Sequence, residues 1–410
     1  MTENPTIAGR TWVAVALAAV FAGVAGCASG GNGIQAGERV DVYVSMPLHG
    51  LEAANGRDAA DGARLALADA GGRVGELAVR ATYLDDTSGT GPNAGWSAAS
   101  AAANARQATQ DSAAIAYIGD FDSGATRFSL PITNEARLLQ VSPAASAIDL
   151  VQPYLGAGDQ LPEEIQPTGE RTFGRVIPSD EVQAQAGAIW AKRLRVRRIN
   201  VGGDGSPFAG VLRSAFDDKA RAIGLRVHPV HEIRAPEAPP HVVYVCFLQA
   251  RVPVTLDYYA GAAPLPVGRG SPCEHPGLMT SDALLAPGTL HQMDSASFLA
   301  TSAAEDPSQL PADGQRFLRE FRGRFHRDPG PYAAYGYEAM AVVLDSIRRA
   351  GDSGDQRDAV IDAFFDTTDR QSILGTYSID DVGNTTLDRL AGYRVVNGKP
   401  RFETALSAGQ

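Results

Sequence analysis

The chain has few of the residues from which catalytic and metal sites are usually built. Its 410 residues include only seven histidines. His228 and His231 lie around a proline, with no third ligand type at metal-binding spacing. Gly203 and Gly205 lack the third glycine of a dinucleotide fingerprint, and no Gly-x-Ser-x-Gly motif occurs. These absences argue against an enzyme, which stays only as a remote alternative, and they predict neither a cofactor nor a metal.

Positive charge is also scarce. Lysine and arginine number 36 against 47 aspartates and glutamates, which gives a formal net charge of −11. The densest basic stretch, residues 192–198, lies between a helical pattern and a short strand, where a solvated helix end explains it. An acidic chain without a sustained basic stretch does not fit a nucleic-acid partner.

The apolar run near the start is short. Arg10 precedes the apolar residues 12–21, whereas a membrane-spanning helix needs ~20 apolar residues. Small residues and then Val24-Ala25-Gly26-Cys27 follow, and this order indicates a secretory signal. The last four residues resemble the bacterial lipobox, which implies cleavage before Cys27 and lipidation of its thiol. The alternatives are an ordinary signal peptide with an incidental cysteine, or an uncleaved anchor.

Cysteine is nearly absent. Besides Cys27 the chain contains only Cys246 and Cys273, which would lie in an oxidising compartment after export and could form a disulfide. The alternative is two separate buried thiols. The apolar run 242–247 around Cys246, which is typical of a core strand, favours that alternative.

The remaining sequence predicts an α/β protein. Residues 1–26 form the predicted signal peptide and 27–39 a Gly- and Ser-rich tether, which leaves a chain long enough for two lobes. From Val40, short apolar strands alternate with amphipathic helices, as in a parallel sheet covered by helices. The pattern includes a short helix that opens at Pro131, a short helical piece at Tyr258-Tyr259, and a helix over 332–349.

Several motifs occur in the order found in one family. The motifs are Pro47-Leu48-His49-Gly50, Tyr117-Ile118-Gly119 with Ser123, Val141-Ser142-Pro143-Ala144-Ala145-Ser146, Pro178-Ser179-Asp180, and Tyr332-Ala333-Ala334-Tyr335-Gly336. Together they resemble type I periplasmic solute-binding proteins, in the leucine/isoleucine/valine-binding group of ABC-transporter receptors. The resemblance implies two doubly wound parallel-sheet lobes joined by a three-strand hinge, with ligand enclosed between them. It places residues 40–150 and 300–373 in lobe 1, and residues 171–297 and 377–404 in lobe 2.

The resemblance also implies a binding site. Ser123, the backbone of Ala144, and Ser146 match the family's positions for a ligand carboxylate, and Asp282 matches its acid for an ammonium. Phe208 and Asn55 fall where aromatic side chains often line the pocket. The alternatives are helix capping by the two serines, a free turn aspartate or a helix N-cap at Asp282, and a core position for Phe208.

Two residues depart from the family pattern. Asp120 and Asp122 flank the first ligand loop, where negative charge would oppose a carboxylate. Arg127 could offset one of them, and the alternative is that it only faces solvent. The ligand is therefore open between an amino acid and a cationic or amide-like solute.

The predicted function is that of a monomeric, lipid-anchored receptor on the outer face of the bacterial cytoplasmic membrane. It would bind a small solute and deliver it to an ABC permease. The alternative within the same fold is a sensory receptor that reports its ligand to a membrane partner.

Overall fold

The computed structural model describes residues 39–91, 94–154, 162–196, 198–203, 207–229, 255–260, 278–286, 290 and 297–409. The predicted signal peptide, Cys27, the strand at 242–247, and both later cysteines lie outside the described residues. In the part of the chain that the structure describes, no helix is both long enough and apolar enough to cross a membrane.

The described helices follow the predicted amphipathic segments. They are α1 (Ala53–Asp69), α2 (Ala98–Gln110), α3 (Ser123–Glu135), α4 (Pro162–Ile165), α5 (Asp180–Arg193), α6 (Pro207–Ala222), α7 (Ala312–Phe325), α8 (Tyr332–Arg349) and α9 (Arg357–Phe365). Serine hydroxyls cap the N-termini of two of them: Ser97 of α2 accepts from the Ser100 N–H at 3.0 Å, and Ser179 of α5 accepts from the Val182 N–H at 3.5 Å.

The described strands alternate with these helices. They are β1 (Arg39–Met46), β2 (Arg73–Val74), β3 (Leu77–Asp85), β4 (Thr87–Ser88), β5 (Gly95–Trp96), β6 (Ala114–Ile118), β7 (Leu139–Ser142), β8 (Phe173–Arg175), β9 (Arg198–Gly203), β10 (Arg226–Pro229), β11 (Thr255–Ala260), β12 (Leu278–Thr280), β13 (Ser297–Ser302), β14 (Arg370–Ser372), β15 (Gly375–Tyr377), β16 (Arg389–Val396) and β17 (Lys399–Ser407).

The first large sheet has the order β2-β3-β1-β6-β7-β8 and is parallel except for the β2–β3 pair. Every residue of the central strand β1 after Arg39 is buried, as expected for a parallel strand covered on both faces. Helices α7, α8 and α9 pack on this sheet, because Phe317, Val342 and Phe364 belong to the same core cluster as Val42. The first sheet therefore carries helices from both the N-terminal and the C-terminal half of the chain.

The second large sheet has the order β10-β9-β11-β12-β13-β16-β17. Its first five strands are parallel, and β16 and β17 add an antiparallel edge. A separate core cluster lies against it, with Trp190 of α5 and Phe216 of α6 among its buried residues. The observed class is thus the predicted one: α/β, with two mainly parallel sheets.

The chain passes between the two sheets three times. It leaves the first sheet after β8, returns after β13 to form α7–α9, and crosses again before β16. Two crossings come later than the predicted lobe boundaries. Phe173–Arg175 pairs with β7 in the first sheet, although the boundary at 171 assigned it to lobe 2. Ser297–Ser302 pairs with β12 and β16 in the second sheet, although the boundary at 300 divided it.

Two predicted elements differ from the structure. The helix expected to open at Pro131 begins at Ser123, with Pro131 inside it. Proline is favoured at a helix start, where its missing N–H costs no hydrogen bond, but Pro131 lies inside α3 instead. Tyr258 and Tyr259 lie in strand β11 and not in a helical piece. The predicted helix over 332–349 agrees with α8 at both ends.

Candidate functional site

A cavity of about 1000 Å³ is lined by loops and helix ends that belong to both sheets. All six residues predicted as ligand-binding lie in its wall, at positions far apart in the chain: Asn55, Ser123, Ala144, Ser146, Phe208 and Asp282. The parallel strands explain this convergence for the first sheet. The segments that follow β1, β6 and β7 leave the same edge of the sheet, so α1, α3 and the loop after β7 begin next to one another.

Ser123 is the first residue of α3, and its hydroxyl ties two of these loops together. The Ser123 Oγ accepts a hydrogen bond of 3.1 Å from the Ala147 N–H. The residue at the capping position of α3 is Asp122, so the helix-capping alternative for Ser123 does not describe its contact. A hydroxyl that accepts one bond keeps its own hydrogen for donation into the cavity.

The loop after β7 is held from beneath. Ser142 Oγ donates to the Asp120 carbonyl at 2.7 Å and accepts the N–H groups of Ala144 and Ala145 at 3.2 and 2.8 Å. The backbone N–H of Ala144, predicted to bind a ligand, therefore already has a partner. Arg175 is fully buried and donates to the carbonyls of Ala145 and Ala147 at 3.0 and 2.8 Å.

Ser146 connects this loop to the second sheet's helices. Its carbonyl accepts a hydrogen bond of 2.9 Å from the N–H of Asp180, which is the first residue of α5. Burial raises the pKa of the Asp180 carboxyl to about 7, against the opposing effect of the Ser146 hydroxyl. The residue at the capping position of the next helical turn is Ala147, so capping does not explain Ser146 either.

Asp282 is firmly held. Its Oδ1 accepts from the Gln183 amide at 3.0 Å, and its Oδ2 from the Ala303 N–H at 3.2 Å and the Tyr332 hydroxyl at 3.3 Å. Ser302 Oγ lies 3.5 Å from the same Oδ2. Burial raises the Asp282 pKa and these donors lower it. The alternative of a free turn aspartate is therefore wrong.

The structure separates the two aspartates that departed from the family pattern. Asp120 is fully buried beneath the cavity, where the Tyr117 hydroxyl donates to its Oδ1 at 2.8 Å, and it is not part of the cavity wall. Asp122 does line the wall. Arg127 forms an ion pair with Asp149. Burial, with smaller contributions from Glu52 and Asp120, raises the pKa of Asp122 to about 7.

Asn55 faces an acid that the sequence had not indicated. Its amide donates to Glu52 Oε2 at 2.9 Å, and Glu52 stands at the capping position of α1. Burial raises the Glu52 pKa, the Asn55 bond lowers it, and Asp282 raises it again. Phe208 is half-buried: it packs against the second core cluster and also contacts the cavity, so the core alternative and the predicted position both hold.

Aromatic side chains supply much of the wall. Trp96 lies against the start of α3, where a Cβ on Gly124 would stand 2.3 Å from Trp96 Cζ2. Phe121 and Tyr332 meet edge to face with ring centroids 4.8 Å apart. Both belong to segments that the motifs had marked. Trp96 and Tyr393 come from β5 and β16, and nothing in the local sequence pointed to them.

The chain matches no family model and no curated protein. It does resemble solved structures. The leucine-binding protein LivK from Thermotoga maritima has a TM-score of 0.66 and 21% identity, and the match covers 90% of this chain and 99% of that one. The substrate-binding protein LivJ from Streptococcus pneumoniae, solved with isoleucine, has a TM-score of 0.63 and 17% identity, covering 89% and 98%.

A third structure is the solute-binding protein of an ABC transporter from Rhodopseudomonas palustris, in complex with 3,4-dihydroxybenzoic acid. Its TM-score is 0.63 at 14% identity, covering 90% of this chain and 98% of that one. All three are solute-binding proteins and none is an enzyme. At these identities the likeness establishes the fold, which is that of type I periplasmic binding proteins.

Proposed function

We propose that this chain is the extracytoplasmic solute-binding receptor of an ABC transporter. One observation carries the proposal: all six expected binding residues line one cavity of about 1000 Å³. They are spread between positions 55 and 282 of the chain and come from segments next to both sheets. The similar structures of known role support it, because each is named as a binding protein or transporter receptor for a small solute.

Binding would work by closure of one lobe on the other. The first-sheet wall, with Ser123 and Ser146, receives the solute, and the second-sheet wall then brings Phe208 and Asp282 to it. The three crossings between the sheets would act as the hinge. Closure shifts a population between open and closed forms by the difference in solute affinity, and the membrane permease would recognise the closed form.

Export and anchoring complete the proposal. Residues 1–26 would be removed and Cys27 lipidated, which holds the receptor on the outer face of the cytoplasmic membrane as a monomer. A sensory receptor with the same fold is the second candidate, and the sequence and the cavity are equally compatible with it.

A thermal-shift screen tests the binding role. The full chain is purified in detergent, unfolded and refolded to remove carried solute, and mixed with amino acids, amides, polyamines and aromatic acids. A solute at ~100 times its dissociation constant adds about 2.7 kcal/mol to the free energy of unfolding, which raises the melting temperature visibly. A melting temperature unmoved by every solute in the panel would contradict the proposal.

A further inference from the structure

The cavity is strongly acidic. Among its described lining residues Lys399 is the only lysine or arginine, whereas five lining side chains are carboxylates: Glu52, Asp58, Asp122, Asp282 and Asp306. Asp58 is compensated, because Arg327 pairs with it and the Gly330 N–H donates to it at 2.9 Å. Such a wall repels an anionic solute and attracts a cationic one.

Two of these acids stand at helix starts. Glu52 occupies the capping position of α1 and Asp122 that of α3, and neither side chain makes a capping bond. A helix start, with its unpaired N–H groups and positive dipole end, is where a solute carboxylate would normally bind. In this chain the carboxylates of Glu52 and Asp122 occupy both helix starts.

Asp122 also has an unmet hydrogen bond. Its Oδ2 is buried and has no donor within the described parts of the chain. A buried carboxylate oxygen without a donor is costly, and a solute N–H that reached it would remove that cost. Glu52 has one described hydrogen-bond donor, the neutral Asn55 amide, and no ion pair among the described residues.

Aromatic side chains stand beside these acids. Trp96, Phe121 and Tyr332 line the same cavity as Asp122, with Phe208 and Tyr393 elsewhere in the wall. Aromatic faces attract ammonium and guanidinium groups, Trp most strongly, and the attraction grows when water is excluded. The aromatic wall and the acids thus favour the same kind of solute for independent reasons.

Building on the proposed receptor role, we infer that the solute is an organic cation with N–H groups, an alkylammonium or a guanidinium. Its charged group lies between Asp122 and Glu52 against the aromatic wall. A quaternary ammonium fits less well because it has no N–H for Asp122. A solute whose only charge is a carboxylate, such as the dihydroxybenzoic acid bound by the R. palustris protein, would meet Asp122 instead of a positive group.

Isothermal titration of the refolded full chain tests the inference, with putrescine, agmatine, choline, leucine and benzoate as probes. We expect putrescine or agmatine to bind, and choline to bind more weakly. Asp122→Asn should weaken the amine by about tenfold or more, the loss of one charge-assisted bond. Glu52→Gln should weaken it in the same direction, and the exposed control Asp381→Asn should leave it unchanged.

The outcomes separate this inference from the receptor role. If leucine or benzoate binds, no amine does, and Asp122→Asn preserves or tightens that binding, the cation assignment is overturned while the receptor role stands. If none of the five probes binds and the wider thermal-shift panel is also silent, both are overturned. Circular dichroism of each variant confirms that a loss of binding is not a loss of fold.

Discussion

At the scale of single residues, the cavity contains carboxylates in two different states of satisfaction. Asp282 accepts from a side-chain amide, a backbone N–H and a tyrosine hydroxyl, which orient it before any solute arrives. Asp122 has a buried oxygen that lacks a donor in the described chain. We infer that Asp282 has a structural role in the cavity wall, whereas Asp122 is available to accept a hydrogen bond from the solute.

The ionisation of Asp122 predicts how binding depends on pH. Burial and the nearby Glu52 and Asp120 raise the pKa of Asp122 to about 7. Asp86, whose own pKa is raised to about 9, also interacts with it. A cation binds the ionised form, so affinity falls as pH falls through the pKa. For one released proton, the putrescine dissociation constant at about pH 6 should be roughly tenfold that at about pH 8.

Titration calorimetry at both pH values checks this dependence, since putrescine stays doubly charged throughout the range. Asp122→Asn should flatten most of the pH dependence, and Asp381→Asn should retain it. An affinity that rises as pH falls, as a carboxylate solute would show when Asp122 becomes protonated, would contradict the assignment.

At the scale of elements, the close contact between α1 and α8 fixes the position of Tyr332 at the cavity. A Cβ on Gly62 in α1 would lie 1.9 Å from the Ala333 carbonyl oxygen, and one on Gly336 in α8 would lie 2.0 Å from the Ala59 carbonyl oxygen. The two helices therefore approach backbone to backbone, next to the helix start where Tyr332 reaches Asp282.

Gly62→Ala should destabilise the protein because backbone oxygen blocks the added methyl. Overpacking of this kind costs typically about 1–3 kcal/mol. Gly323→Ala is the matched control: Gly323 lies inside α7 with nothing within 4 Å of the added Cβ, so alanine there should stabilise by roughly 0.5–1 kcal/mol. Urea unfolding of both variants measures the difference, and equal stabilities would refute the close contact.

Local patterns predicted the elements better than they predicted the cavity wall. The period of α8 and the strand ends before Ser123 and Ala144 are local features, and the structure agrees with them. Tyr393 reaches the cavity through pairing with the distant strand β13, which no local pattern encodes, whereas Trp96 lies in the short β4–β5 pair. The predicted lobe boundaries came too early for the same reason. The sheet to which β8 and β13 belong is decided by the strands they pair with and not by their own residues.

At the scale of the whole molecule, the proposed anchored start precedes a binding unit of two sheets. In the proposed closure both sheets would stay paired, because each sheet has its own core. In the proposal, residues 1–26 are the signal and residues 27–39 the tether, and Cys27 is the attachment point.

The anchor can be tested separately from binding. Cells that express the chain should incorporate labelled palmitate into it, and Cys27→Ser should abolish the label and release the protein from the membrane fraction. Cys273→Ser should keep both the label and the membrane association. Label retained in Cys27→Ser would contradict the lipoprotein assignment.

Whether the cavity holds the solute can be measured by the affinity of the Ser123→Ala/Ser146→Ala double variant for the best solute of the screen. We predict a dissociation constant raised by about tenfold or more, because both residues line the cavity and a hydroxyl oxygen can accept from a solute N–H. The exposed control Ser112→Ala should bind like the unmodified chain. A folded double variant with unchanged affinity would place the solute elsewhere and contradict the account.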